Sequence, residues 1–309
     1  MHILIVGTGA LGVLFAARLA RARQDVTLLG TWQGGLKALQ QKGARLVDEN
    51  GIEQSFSVKV RDNPHDCIGA QHAIVLVKSW QTERAARQLA ECLAVDGLAL
   101  TLQNGLGNRE TLAERLGVDR VLLGTTTTGA TLLGPGLVKS GGEGVLSIEA
   151  HPAIGPLVDV LRSANFKVEI VKDASSLVWC KLVINASINP LTALLRVSNG
   201  ELLKSPSARA LMRALAEETA AVASSKNVEL VSDDPAALVE EVARKTRANH
   251  SSMFQDIKRG APTEIDAICG AVARAGQHHN VPTPVNLVCW QLVRALVQTS
   301  KEGLLNPNK

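Results

Sequence analysis

Residues 2–6, HILIV, form a short β-rich run that passes at once into Gly7-Thr8-Gly9-Ala10-Leu11-Gly12, and a helical pattern follows from Val13 to Ala22. A strand, a turn of this glycine spacing and a helix leave few folds open. Gly7 permits the tight turn. Gly9 leaves the backbone bare where a pyrophosphate approaches, and Gly12 lets the helix lie close to the strand. The free N–H groups and dipole at the helix start favour the anion. The expected fold class is therefore α/β, opening with a Rossmann-type dinucleotide-binding domain. We do not read the same stretch as a signal peptide, because it lacks a basic start and its glycines interrupt the apolar run.

Val26 to Leu29 reads as the second strand, and Gly30-Thr31-Trp32-Gln33 follows it. An acid at that strand's end would bind the 2′-hydroxyl of NAD, and a nearby arginine would suit the 2′-phosphate of NADP. Neither stands here. Thr31 is expected to cap a helix over 32–41 and, with the N–H groups beside it, to bind a phosphate. The expected cofactor is NADPH. Ala44 to Val47 and Ser55 to Val60 flank Asp48-Glu49-Asn50-Gly51 and read as a hairpin or meander inserted into the sheet. His72 to Val77 is a buried strand, with Lys78 at the C-terminal end where open α/β sheets bind ligands. Leu98 to Leu102 is another strand, followed by Gln103-Asn104-Gly105. Asn104 reads either as a ligand contact or as plain turn chemistry. Further strands run through Val121 to Thr128 and up to Ile148. A helix near 152–163 and a strand over 167–171 close this half.

Beyond Asp173 long helical patterns replace strands, at 175–189, 199–204, 206–226, 235–247 and 284–300. The expected domains are 1–172, binding NADP, and 173–309, helical and substrate-binding. Within WCKLVINASINPLTA at 179–193, Lys181, Asn185 and Asn189 recur at i, i+4 and i+8. That spacing stacks them on one helix face over roughly 12 Å, and Pro190 is expected to interrupt the helix. A buried ammonium and two carboxamides need partners. Either the protein supplies them, as a polar seam, or a polar ligand does, with Lys181 as the reactive cation. The segment 249–256 and Thr263-Glu264-Ile265-Asp266 leave a similar choice. Ser252 and Glu264 read either as ligand contacts or as local structure, with Thr263 capping a helix that begins near Glu264.

Composition narrows the class of function. A net charge of +4 across 309 residues, with no long Lys/Arg run, makes nucleic acid an unexpected partner. Five cysteines show neither a CxxC pair nor metal-ligand spacing, so no metal is expected and a reducing, cytoplasmic setting is. No run approaches the roughly 18 apolar residues that cross a bilayer, so no membrane is expected.

These motifs resemble the ketopantoate reductases (2-dehydropantoate 2-reductases, of pantothenate and coenzyme A biosynthesis). The likeness runs through GTGALG at 7–12, VKSWQ at 77–81, QNGLG at 103–107 and GTTTTGA at 124–130. It continues through WCKLVINASINPLTA at 179–193, NGEL at 199–202, NHSSMFQDI at 249–257 and TEID at 263–266. The resemblance implies a Rossmann domain followed by a helical domain, with the active site in the cleft between them. It implies NADPH-dependent reduction of ketopantoate to (R)-pantoate, with Lys181 as proton donor. Gly7, Thr8, Gly9, Ala10, Leu11 and Gly12 would hold the pyrophosphate. Thr31, Lys78, Asn104, Ala130 and Glu264 match cofactor-contacting positions, and Asn104, Asn185, Asn189, Asn199 and Ser252 match substrate-binding ones. The family's usual arginine for the 2′-phosphate aligns with Thr31 here. Two other readings keep the same framework: a reductase of another branched 2-keto acid, and a non-catalytic NADPH-binding sensor. A monomer or a homodimer is expected.

Overall fold

The computed structural model describes residues 2–48 and 50–301. These form two compact units, the first comprising the described residues up to 103 together with 108–174, the second 104–107 and 175–301.

In the first unit β1 (His2–Val6) leads into α1 (Ala10–Arg21), β2 (Asp25–Leu29) and α2 (Gln33–Lys42). The short strands β3 (Ala44–Val47), β4 (Glu53–Phe56) and β5 (Lys59–Arg61) follow, then β6 (Ala70–Val75), α3 (Thr82–Cys92), β7 (Leu93–Thr101), α4 (Asn108–Leu116) and β8 (Val121–Thr126). β9 (Ala130–Gly134), β10 (Leu137–Ser140), β11 (Val145–Glu149), α5 (Gly155–Ser163) and β12 (Lys167–Val171) complete it. The main sheet has the order β12-β11-β8-β7-β6-β1-β2-β5. The six strands from β5 to β8 are mutually parallel, and β8 meets β11 antiparallel. That is a doubly wound sheet, built from β-branched and leucine-rich strands buried on both faces. Ile3, Leu4 and Ile5 of β1 are fully buried at its centre.

Two expectations for this half are corrected. The hairpin of β3 and β4 forms, pairing Val47 with Glu53, but not within the main sheet. It joins a separate four-stranded sheet of order β4-β3-β10-β9. The run read as one strand over 55–60 breaks after Phe56: Gly43, at φ +69, turns β3 away from the main sheet, while β5 returns to its edge beside β2. The small sheet packs on α1, whose Val13, Leu14, Phe15, Ala16 and Ala17 are fully buried.

The second unit holds α6 (Ser175–Leu195), α7 (Pro206–Ser225), α8 (Pro235–Lys245), α9 (Ser252–Lys258), α10 (Cys269–His278) and α11 (Pro284–Lys301). α6 is its core. By length and composition alone it would cross a membrane, but two-thirds of its most apolar window is buried inside the protein. Trp179, Leu182, Val183, Ala186 and Ile188 pack in one apolar cluster with Met212 and Leu215 of α7 and Val239 of α8. The helix does not stop at Pro190 as expected but continues to Leu195. A mid-helix proline removes one N–H and leaves the carbonyl four residues back without its donor. Here that carbonyl belongs to Ala186, and the buried Cys269 thiol donates to it at 3.7 Å. The segment 199–204 is a 3₁₀ turn, Asn199–Leu203. The helix expected near Glu264 starts only at Cys269, because Ile268, at φ −101 and ψ −98, leaves helical geometry.

Residues 104–107 were expected in the first domain. They belong to the second unit because Gly105, at φ +83, lies against Ala267, where a Cβ would meet the carbonyl at 2.4 Å. The Leu106 N–H donates to the same Ala267 carbonyl at 2.9 Å.

The start of α11 is held from another helix. Glu218 of α7 accepts the N–H groups of Val285 and Asn286 at 2.8 and 2.9 Å, and the Asn286 amide at 2.8 Å. It thus satisfies donors that every helix N-terminus leaves over. Glu218→Ala is expected to lower the unfolding free energy by about 2 kcal/mol, and Glu218→Gln by less, in urea denaturation. An unchanged midpoint for both would remove this cap from the account.

Candidate active site

The glycine turn of the first unit has the shape of a phosphate cradle. Gly7 stands at φ +124, outside the range of ordinary side chains, and its N–H donates to Leu29 of β2 at 2.8 Å. A Cβ on Gly12 would come within 2.0 Å of the Gly7 carbonyl, so α1 approaches the turn as closely as a bare backbone allows. A Cβ on Gly9 would meet nothing within 4 Å among the described residues. Gly9 is the N-cap of α1, no side chain caps that helix, and its first turn carries no acid. Open space over exposed N–H groups, at the positive end of a buried helix, fits a dinucleotide pyrophosphate. Ala10 and Leu11 are the first residues of α1 and both are half-buried.

Thr8 is buried and packs on Gly30, where a Cβ would stand 2.7 Å from its Cγ2. An acid at position 30 would therefore collide with the cradle. Thr31 is exposed and, contrary to expectation, caps nothing. α2 begins at Gln33 with Trp32 as N-cap and no side-chain cap. The Trp32 ring lies over Gly35, whose Cβ would meet it at 2.3 Å, and that packing sets the helix start. β6 ends at Val75, before the expected Val77, as the backbone of Leu76 and Val77 packs against Gly7. Lys78 is half-buried at the head of the short turn Ser79–Gln81. Ala130 is half-buried at the start of β9, paired with Ser140.

The helical unit gathers the ionisable chemistry. Lys181 and Asn185 are half-buried on α6, and Asn189 is buried. Asn104 donates to the Glu264 carboxylate at 3.3 Å, and that carboxylate is itself buried. Burial pushes the Lys181 ammonium down to about 8, while the negative charge of Glu264 pulls it back up. Lysine, carboxylate and carboxamide thus act on one another: the carboxylate steadies the cation, and desolvation makes the cation a readier acid. Asn199, buried, gives its amide to Thr246 at 2.9 Å, and its backbone N–H binds the Asn249 carbonyl at 3.0 Å. Its Oδ1 is buried with no hydrogen-bond partner among the described residues.

Ser252 is half-buried as the first residue of α9, but the cap is Ser251, whose hydroxyl accepts the Phe254 N–H at 3.1 Å. Sequence reasoning passed over Ser251 and its partner Thr192. Their hydroxyls are hydrogen-bonded at 2.7 Å. Thr192 also donates to the carbonyls of Ile188 and Asn189, at 2.9 and 3.0 Å. This bridge ties the proline segment of α6 to the start of α9, and so Asn189 to Ser252. The available signal was the doubled serine at a helix start; nothing local marks Thr192. Among the described residues no group of acids, histidines and cysteines has the arrangement of a metal site.

Residues 3–153 match the family model described as ketopantoate reductase PanE/ApbA, and residues 173–297 match its C-terminal counterpart. The 2-dehydropantoate 2-reductase of Archaeoglobus fulgidus is 37% identical, over 94% of this chain and 96% of its own. That of Halobacterium salinarum is 34% identical, over 95% and 98%. The crystal structure of a PanE/ApbA family ketopantoate reductase from Ralstonia eutropha JMP134 matches with a TM-score of 0.91 at 31% identity, covering 97% of this chain and 100% of that one. A ternary structure of D-mandelate dehydrogenase with NADH and anilino(oxo)acetate matches with a TM-score of 0.92 at 26% identity, over 97% and 99%. The cradle, the doubly wound sheet and the helical unit are those of an oxidoreductase family whose members bind NAD(P)H. The chain belongs to the ketopantoate reductase family.

Thr192→Val keeps the shape and deletes the bridging hydroxyl. It is expected to cost roughly 1–2 kcal/mol of stability and to raise KM for the keto acid more than it lowers kcat. Thr192→Ser, which keeps the hydroxyl, is expected to restore both. Denaturation and steady-state kinetics on the three proteins decide it; a valine variant with unchanged KM breaks the link to Ser252.

Proposed function

We propose that the protein reduces ketopantoate to (R)-pantoate with NADPH, in the cytoplasm, as a step of pantothenate and coenzyme A biosynthesis. The observation that carries this reading is Lys181: an ammonium brought to about 8 by burial, answered by Glu264, and sharing its helix face with two carboxamides. When bound, the reduced nicotinamide supplies the hydride for the keto carbon. The chain's own residues do the rest. Negative charge grows on the keto oxygen, and Lys181 meets it with a charged N–H, then gives up the proton. Glu264 holds the ammonium charged until that moment, and the resulting amine regains its proton from solvent below about pH 8. Asn185, Asn189 and Ser252 orient the carboxylate and 4-hydroxyl of the substrate, which keeps the keto carbon in line for transfer. Asn199 Oδ1, a buried acceptor with no hydrogen-bond partner among the described residues, accepts a hydrogen bond from the 4-hydroxyl. Gly7 to Gly12 hold the pyrophosphate, with Lys78, Ala130 and Asn104 as further cofactor contacts. The bare Gly30 and the lack of an acid beside it favour NADPH over NADH.

A second reading has one observation in its favour. D-mandelate dehydrogenase, with NADH and anilino(oxo)acetate bound, matches this fold with a TM-score of 0.92, against 0.91 for a ketopantoate reductase family structure. On that reading the protein reduces another 2-keto acid. Ketopantoate and 2-ketoisovalerate separate the two, because only the former has a 4-hydroxyl. Preference for ketopantoate by about 100-fold or more in kcat/KM is expected, with most of it lost in Asn199→Ala. Equal rates on both would favour the second reading.

Two further outcomes concern Lys181. Lys181→Ala is expected to lower kcat by roughly 10²- to 10⁴-fold with the NADPH affinity retained. Loss of cofactor binding in a folded variant would contradict the role. Because the proton donor is the charged form, kcat/KM for reduction should be level below about pH 7. It should fall tenfold per unit above the Lys181 pKa near 8, while the reverse oxidation rises over the same range. A reduction rate that climbs through pH 8 would exclude Lys181 as the acid.

A further inference from the structure

We infer that Arg61 is the residue that binds the 2′-phosphate of NADPH, taking the part that an arginine after the second strand would otherwise play. The inference rests on the NADPH reading above. In a doubly wound sheet the adenosine ribose lies at the C-terminal end of the second strand, here Leu29-Gly30-Thr31. That end offers a bare glycine and a short exposed hydroxyl, and no cation. The next strand outward is β5, which runs parallel to β2 and ends at the same edge. Its last residue is Arg61, in register with Leu29. The Gly30 N–H donates to the Arg61 carbonyl at 3.1 Å, which fixes the arginine's backbone directly beside the Leu29–Gly30 peptide. Adjacent strands lie about 4.8 Å apart, well within a guanidinium's reach.

The other cation of β5 is committed elsewhere. Lys59 stands at the opposite end of the strand, where its Nζ meets Asp25 at 2.8 Å. The Arg61 side chain is 44% exposed. Its Nη1 donates to the Val60 carbonyl at 2.9 Å, and its Nε lies 4.0 Å from the Asp66 carboxylate. An exposed pair at that distance contributes little, so a dianionic phosphate competes well for the guanidinium. A planar guanidinium offers five donors in a fork that matches phosphate oxygens. Asp66 then acts as a brake, repelling the 2′-phosphate that Arg61 attracts.

The test measures equilibrium binding rather than turnover. Dissociation constants of 2′,5′-ADP, 5′-AMP, NADPH and NADH are compared for the full-length wild type, Arg61→Gln, Arg61→Lys and Asp66→Asn. The wild type is expected to prefer 2′,5′-ADP to AMP and NADPH to NADH. Arg61→Gln should weaken the two 2′-phosphorylated ligands about 10- to 100-fold and leave AMP and NADH as they were, which also shows that the variant is folded. Arg61→Lys should recover part of the loss, and Asp66→Asn should tighten the phosphorylated ligands severalfold. A wild-type ratio of 2′,5′-ADP to AMP affinity in Arg61→Gln overturns the assignment and leaves the NADPH reading standing. A wild type with no preference for the 2′-phosphate overturns both.

Discussion

The Ala186 carbonyl has no helical donor, because Pro190 has no N–H to give it, and much of the helical unit follows from how that gap is closed. A proline inside a helix costs about 3 kcal/mol where nothing compensates. Here Cys269, from a distant part of the chain, supplies a thiol, and Thr192 engages the neighbouring Ile188 and Asn189 carbonyls. The helix therefore survives to Leu195, with its polar face ending at Asn189, just before the proline. Because the Thr192 hydroxyl also meets Ser251, the segment just after the proline is tied to the start of α9. The proline segment of α6 is thus held by Cys269 on one side and by Ser251 on the other, next to two of the polar side chains assigned to the substrate.

The first unit depends on an analogous economy of atoms. Gly12 and Gly30 have no side chain because Gly7 and Thr8 already fill the space. The contact between Thr8 and Gly30 couples the cradle to the end of β2. It bars a carboxylate from position 30 by volume before any question of charge arises. On the proposed function, cofactor preference and phosphate binding would both draw on this one packing contact, and the proposed cation comes from the neighbouring strand.

What was legible in the sequence had short range. The strand-turn-helix at residues 2–22 and the spacing of Lys181, Asn185 and Asn189 follow from local periodicity, and both stand in the structure. The rest turned on partners far along the chain. Pro190 looked like a stop because its remedy lies at Cys269. β3 looked like part of the main sheet because its partner, β10, lies far beyond it in sequence. Thr31 looked like a cap because the packing of Trp32 on Gly35 is invisible to a propensity argument. Thr263 likewise looked like a helix start, although the chain makes a non-helical turn at Ile268 first. Asn104 was read at a strand end, where it stands, but its tie to Glu264 spans 160 positions and has no local signature.

The four residues 104–107 bear on how this protein can be divided. They lie between β7 and α4 in the chain, yet Leu106 packs with the apolar cluster of the helical unit and Gly105 is moulded to Ala267. A gene cut at residue 174 would not yield two whole modules. The helical fragment would lack part of its own core and the amide that binds Glu264, and the other fragment would carry an apolar loop made for a surface it no longer has. The protein is modular in shape but not in sequence, so recombination between relatives at this boundary must exchange the loop along with the helices.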